Sequence, residues 1–144
     1  MKLATFWMVT ATATLAACIS HGGPAEASAD APEPAAKIPP DPALLAKGAE
    51  LYEANCAMCH AIGSGGASIT GPNLHGVVGT VSGTHTDFPY SDALIAAQVV
   101  WTDETLDLWL TKPSEYIEGN IMGFMGFADP TDRAAVIAYL NENS

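Results

Sequence analysis

Positive charge is what this chain has least of. Lys and Arg number five against 16 Asp and Glu in 144 residues, for a formal net charge of −11. A chain without clustered Lys and Arg cannot grip a phosphate backbone, which argues against nucleic acid as a partner. The same shortage disfavours adhesion to anionic lipid headgroups. Strand patterning is missing too: no stretch alternates apolar and polar residues convincingly, and there is no internal repeat. The length suits one domain of ordinary size. What the acidic balance does suit is a soluble, self-repelling domain whose partner presents a basic patch.

The apolar start of the chain is too short to span a bilayer comfortably. Lys2 is followed by an apolar stretch from Leu3 to Ala17 with interspersed threonines, whereas a span needs about 20 apolar residues. Residues 1–17 therefore read as an export signal. Leu15-Ala16-Ala17-Cys18 ends that stretch and resembles the lipobox of bacterial lipoproteins, in which the cysteine becomes the lipidated N-terminus. Cleavage after a small residue, with Cys18 discarded or left free, is the plainer alternative. Several acyl chains would anchor stably, where one binds only marginally.

Residues 18–40 are rich in Ala, Pro, Glu, Gly and Ser and show no period, so they read as the lipidated N-terminus and a disordered tether. The 22 residues after Cys18 would reach about 25 Å as a flexible coil and up to about 70 Å as polyproline II. The expected localisation is exported, on the periplasmic side, and membrane-anchored.

A compact domain over 41–144 follows. Asp41 and Pro42 suit an N-cap and first helical position, and Leu45, Gly48 and Tyr52 share a face of the helix that runs into Cys56. The glycine-rich stretch from Ile62 to Thr86 reads as loop. Ser91 caps a short expected helix over Asp92–Val99, and Thr102 opens another that ends by Pro113. Residues 113–128 read as loop. Asp129-Pro130 starts a last helix through about Asn141, with Val136, Ile137 and Leu140 as its apolar stripe. The expected fold is all-α, with about four to five helices. Loops this long in so small a domain need something to fill the centre.

Cys56-Ala57-Met58-Cys59-His60 has the C-x-x-C-H spacing of c-type haem attachment. Thiols one helical turn apart can form thioethers to two vinyl groups on one porphyrin edge, and the following imidazole then sits under the iron. The spacing alone also suits a disulfide or a thioredoxin-like redox pair. A zinc site would need a second Cys or His pair at ligand spacing, and none is present.

The rest of the domain carries further motifs in order: Gly71-Pro72-Asn73-Leu74-His75-Gly76, Phe88-Pro89-Tyr90-Ser91-Asp92-Ala93, Trp101, Tyr116-Ile117-Glu118-Gly119-Asn120-Ile121-Met122, and Ile137-Ala138-Tyr139-Leu140. Together they resemble class I cytochrome c of the mitochondrial and bacterial c2 type, over residues 42–142. The resemblance implies the class I fold around one covalent haem c. It implies that Met122 is the second axial ligand beside His60, with Met125 the rival three residues on, and that Met58 points away. His/Met ligation raises the reduction potential relative to nitrogen alone. The Pro72 carbonyl would accept the N–H of the His60 ring, fixing its orientation and raising its basicity. Tyr90 and Trp101 would donate to a haem propionate, or simply be core aromatics. Gly48 and Tyr52 would cross the last helix near Tyr139. His75 could hydrogen-bond within its loop, and His21 and His85 read as solvated.

The chain departs from the family pattern at Thr80, where many relatives carry an arginine, at Leu94 in place of a common asparagine, and at Trp109 in place of a common tyrosine. The docking lysines of the mitochondrial relatives are missing: from Asp41 onward only Lys47, Lys112 and Arg133 are basic. The implied function is not enzymatic. It is a membrane-tethered one-electron carrier between respiratory or photosynthetic complexes, from a quinol–cytochrome c reductase to a terminal oxidase or reaction centre. Its partners are redox proteins, with no small-molecule substrate, and a monomer is expected. The alternatives are a fixed electron-entry subunit of a larger complex, or a haem peroxidase or ligand sensor.

Overall fold

The computed structural model describes residues 41–144. The export signal at 1–17, the tether at 18–40 and the roles of Cys18 and His21 lie outside the described residues. Five helices follow one another: α1 Pro42–Asn55, α2 Asp92–Ala97, α3 Asp103–Thr111, α4 Pro113–Tyr116 and α5 Pro130–Glu142. The described residues contain no strand, only one isolated antiparallel bridge between Val81 and Val100. None of their helices is long and apolar enough to cross a membrane.

Polar side chains that compete for backbone amides start each long helix. The Asp41 carboxylate accepts from the Ala43 amide at 2.9 Å, and Asp129 accepts from Thr131 at 2.8 Å. Thr102 and Thr105 form a reciprocal capping box at α3. Two boundaries differ from the sequence-based expectation. The second helix stops at Ala97 because Gln98 turns left-handed, at φ 50°. Residues 113–116 form a helical turn, not loop: Pro113 supplies a pre-set φ and Glu115 an acid in the first turn.

α1 and α5 cross and α3 packs on α5. The α1–α5 crossing depends on Gly48: a Cβ there would stand 2.1 Å from the Ala135 carbonyl oxygen and 2.9 Å from Tyr139 Cβ. Tyr52 then meets Tyr139 with ring centroids 5.4 Å apart. Val136, Ile137 and Leu140 of α5 are buried against Leu106, Leu110 and Trp109 of α3 and Trp101.

Each of the three basic side chains of the described residues is engaged internally. Lys47 reaches Asp132 at 2.6 Å between α1 and α5, and Lys112 pairs with Glu115. Arg133 is the most enclosed, its side chain 11% exposed. It donates to Asp107 at 2.7 Å and to the carbonyls of Phe127 and Ala128.

Candidate haem-binding site

The C-x-x-C-H segment is the frayed C-terminus of α1. The Cys56 amide still donates to the Tyr52 carbonyl at 2.8 Å, and the amides of Cys59 and His60 both donate to the Cys56 carbonyl at 2.9 Å. The two thiols are thus one turn apart, free and half-buried. Burial first, then the charge of Cys59, pushes the Cys56 thiol up to about 11, so it stays protonated near neutrality. The described residues hold no group of three or more His, Cys, Asp or Glu spaced for a metal ion.

His60 is fixed from two sides. Its carbonyl accepts from the buried Tyr52 hydroxyl at 2.7 Å, and its ring Nδ1 lies 2.7 Å from the Pro72 carbonyl oxygen. A carbonyl can only accept, so Nδ1 carries the hydrogen and Nε2 keeps its lone pair. Burial holds the imidazole below its ordinary pKa against the opposing Pro72 contact, which keeps it neutral, the form a metal requires. The loop returns to this spot because the Gly71 amide donates to the Cys59 carbonyl at 2.7 Å and the Leu74 amide to Ala61 at 2.8 Å. Gly71 is obligatory here, because a Cβ would fall 2.3 Å from the His60 ring.

Met122 and Met125 part company. Met122 is half-buried against the core that includes Trp101, whereas Met125 is 81% exposed. Asn120 shapes the Met122 loop: its side-chain amide donates to Pro113 and Ile117 at 2.7 and 2.8 Å. Its carbonyl oxygen accepts from the Met122 amide at 2.9 Å. Trp101 is buried against Trp109, centroids 5.4 Å apart. Tyr90 is half-buried edge-on to Phe88 at 5.1 Å. Met58 is 85% exposed.

Residues that motif reading left without a role hold the loops. Asn73 is 5% exposed and donates to the carbonyls of Gly63 and Gly66 at 2.9 and 2.8 Å. Its carbonyl oxygen accepts from the His75 amide at 3.0 Å, while the His75 ring nitrogen Nδ1 is buried with no partner among the described residues. Ser82, 1% exposed, ties its loop to Leu94 and Val99 at 3.0 and 3.1 Å. Thr80 turns to its own Val77 carbonyl. Asn73 stood within a motif already singled out; Ser82 had no sequence signal.

This donor set fits a covalent haem. Two thiols one turn apart stand beside a neutral imidazole with a free Nε2 lone pair, and a half-buried thioether meets the same core as Cys56.

Comparison with known proteins agrees with this geometry. A family profile described as "Cytochrome c" matches residues 45–144. A "Cytochrome c" of Theileria annulata is 46% identical over 114 residues, covering 78% of this chain and 96% of that protein. One from Chlamydomonas reinhardtii is 44% identical over 98 residues, covering 68% and 88%. "Cytochrome c 2.1" of Caenorhabditis elegans is 44% identical over 98 residues, covering 68% and 87%.

Proposed function

The chain belongs to the cytochrome c family, and from that premise we propose that it is a membrane-tethered one-electron shuttle with His60 and Met122 as its axial ligands. Membership carries the coarser statements with it: an all-α class I c-type cytochrome, a single covalently bound haem c, and electron transfer with redox partner proteins. The finer reading joins those to the lipobox-like Cys18 and the tether. The head would swing within a shell above a periplasmic membrane surface, which raises its effective concentration near fixed complexes. Electrons would pass from a quinol-oxidising complex to a terminal oxidase or a reaction centre.

The observation that carries the site assignment is the His60–Pro72 contact at 2.7 Å. It leaves one ring nitrogen free and fixes where that nitrogen points. Bound haem supplies a one-electron iron couple. Cys56 and Cys59 would hold the macrocycle by thioethers, which lets so small a domain keep it. His60 would donate through Nε2. Met122 would be the second protein ligand to the iron, a soft sulfur that favours the ferrous state. Tyr90 and Trp101 would donate to a propionate.

The test is a reduced-minus-oxidised spectrum of the natively exported protein, with the long-wavelength absorption of iron–thioether bonding read in the ferric form. That absorption should vanish in Met122→Ala and survive in Met125→Ala. Its absence from the wild type, or peroxide and carbon monoxide binding, would put a peroxidase or sensor in place of the carrier. Cys18→Ala should release the protein from the membrane fraction.

One observation favours a fixed electron-entry subunit. Met58, Met125, Ile121 and Ile69 are exposed by 85, 81, 75 and 60%, and all four lie in the segments that carry Cys56, Cys59, Pro72 and Met122. A subunit docked permanently at that edge would co-purify with its complex in mild detergent, where a shuttle would not.

A further inference from the structure

The hydrogen-bond chain that begins at the His60 ring continues past Pro72. The Pro72 carbonyl shares its peptide unit with the Asn73 amide, and that amide donates to Ser68 Oγ at 3.2 Å. The Ser68 hydroxyl in turn donates to Asp87 Oδ1 at 2.9 Å, and the Ser68 amide reaches Oδ2 at 3.2 Å. His85 Nδ1 closes the far end, 2.6 Å from Asp87 Oδ1. A continuous path therefore joins a buried imidazole to an exposed carboxylate, across one peptide bond and three hydrogen bonds.

Direction matters as much as continuity. Every link points its hydrogen toward Asp87: ring N–H to carbonyl, amide N–H to hydroxyl oxygen, hydroxyl to carboxylate. Aligned hydrogen bonds polarise one another, and an anion at the accepting end polarises them all. A negative charge on Asp87 draws density along the peptide onto the Pro72 oxygen. The oxygen then pulls harder on the Nδ1 hydrogen, and Nε2 becomes a stronger donor. The peptide between them cannot rotate away, because Asn73 anchors it to Gly63 and Gly66.

We propose that Ser68 and Asp87 are positioning residues that set the basicity of the His60 ring, and through it the reduction potential of the protein, with His85 as the counterweight on Asp87. This rests on His60 ligating the haem as described above. A stronger imidazole donor favours ferric iron, so an ionised Asp87 lowers the potential. His85, competing for the same oxygen, offsets that pull. The other titratable group facing Asp87 is Tyr90, whose hydroxyl is raised first by burial and then by the Asp87 charge. Ser68 itself holds the Asp87 carboxyl below the usual range, by its hydroxyl first and its amide second.

The experiment is spectroelectrochemistry on haem-loaded variants, with the proton resonance of His60 Nδ1–H read in the ferrous form. Asp87→Asn should shift the potential positive. Ser68→Ala should do the same, because it cuts the chain while leaving the charge in place, and Ser68→Thr should restore the wild-type value. His85→Ala, at an exposed position, should shift the potential the opposite way. The Nδ1–H resonance should move with the potential in each case. A Ser68→Ala protein with wild-type potential and resonance would overturn the proposal and leave Asp87 acting through space alone. A shift in Asp87→Asn that disappears in a Tyr90→Phe background would overturn it as well, by assigning the effect to the tyrosine. A wild type whose His60 does not ligate iron would instead remove the reading on which the proposal stands.

Discussion

Gly48 of α1 and Ala135 of α5 approach so closely that the smallest side chain at 48 would lie 2.1 Å from a carbonyl oxygen. Backbone on both sides leaves nothing flexible to yield. Gly48→Ala should therefore cost at least about 3 kcal/mol, the upper range for overpacking. Guanidinium unfolding of the haem-loaded protein reads it, and an unchanged midpoint would mean that α1 and α5 can part without loss.

Gly71→Ala tests the ligand geometry without touching a ligand. Its Cβ would occupy the space of the His60 ring, 2.3 Å away, so the imidazole must turn off its Pro72 acceptor. The expected result is a lower yield of covalent haem and a shifted potential in what remains, measured by pyridine haemochrome and redox titration.

Tyr52 is 3% exposed, and its hydroxyl supports the His60 carbonyl at 2.7 Å. Tyr52→Phe keeps the ring contact with Tyr139 and removes one hydrogen bond. The expected loss is about 1 kcal/mol, with the visible spectrum unchanged. A spectral change would show that the His60 backbone moves when its carbonyl is released.

Arg133 joins α5 to α3 through Asp107 and to the end of the Met122 loop through Phe127 and Ala128. Arg133→Met keeps much of the stem and strands those acceptors. About 2 kcal/mol should be lost, from the range for charge-assisted hydrogen bonds. Arg133→Lys should recover part of it, because an ammonium cannot bridge three acceptors in a plane.

Acid dependence has a defined sign. Asp129 is held below its ordinary value by the Thr131 amide first and hydroxyl second, and Glu104 by the Thr102 hydroxyl first. A carboxylate whose folded pKa lies below its unfolded one contributes stability above the unfolded value, about 4 for these groups. That contribution fades as pH falls through the folded value. The cost of Asp129→Ala in urea should accordingly be full near neutrality and shrink below about pH 4. A cost independent of pH would mean that the cap acts through shape alone.

The helix starts that were legible from sequence are those with a polar cap followed by acids or proline: Asp41-Pro42, Ser91 before Asp92, Thr102 before Asp103 and Glu104, Asp129-Pro130. These signals are local, so one chain suffices to read them. Gln98 ends α2 in a left-handed turn that no glycine announces, and the turn at Pro113–Tyr116 is too short to show a period. The site was legible where spacing itself is the chemistry, as at Cys56, Cys59 and His60. Spacing from Gly119 favours Met122 over Met125, and the burial of the one and exposure of the other point the same way. The contacts that no linear reading could find join distant segments: Ser68 to Asp87, nineteen residues apart, and Asp107 to Arg133, twenty-six apart.

The pairing of Lys47, Lys112 and Arg133 with neighbouring carboxylates has a colloidal consequence. Thirteen acidic residues fall within 41–144, and each of the three cationic side chains there is already paired with a carboxylate of the same chain. Two such domains therefore carry net charge of the same sign and repel one another in solution. At low salt that repulsion should keep concentrated solutions dispersed, and added salt should weaken it as the screening length shortens.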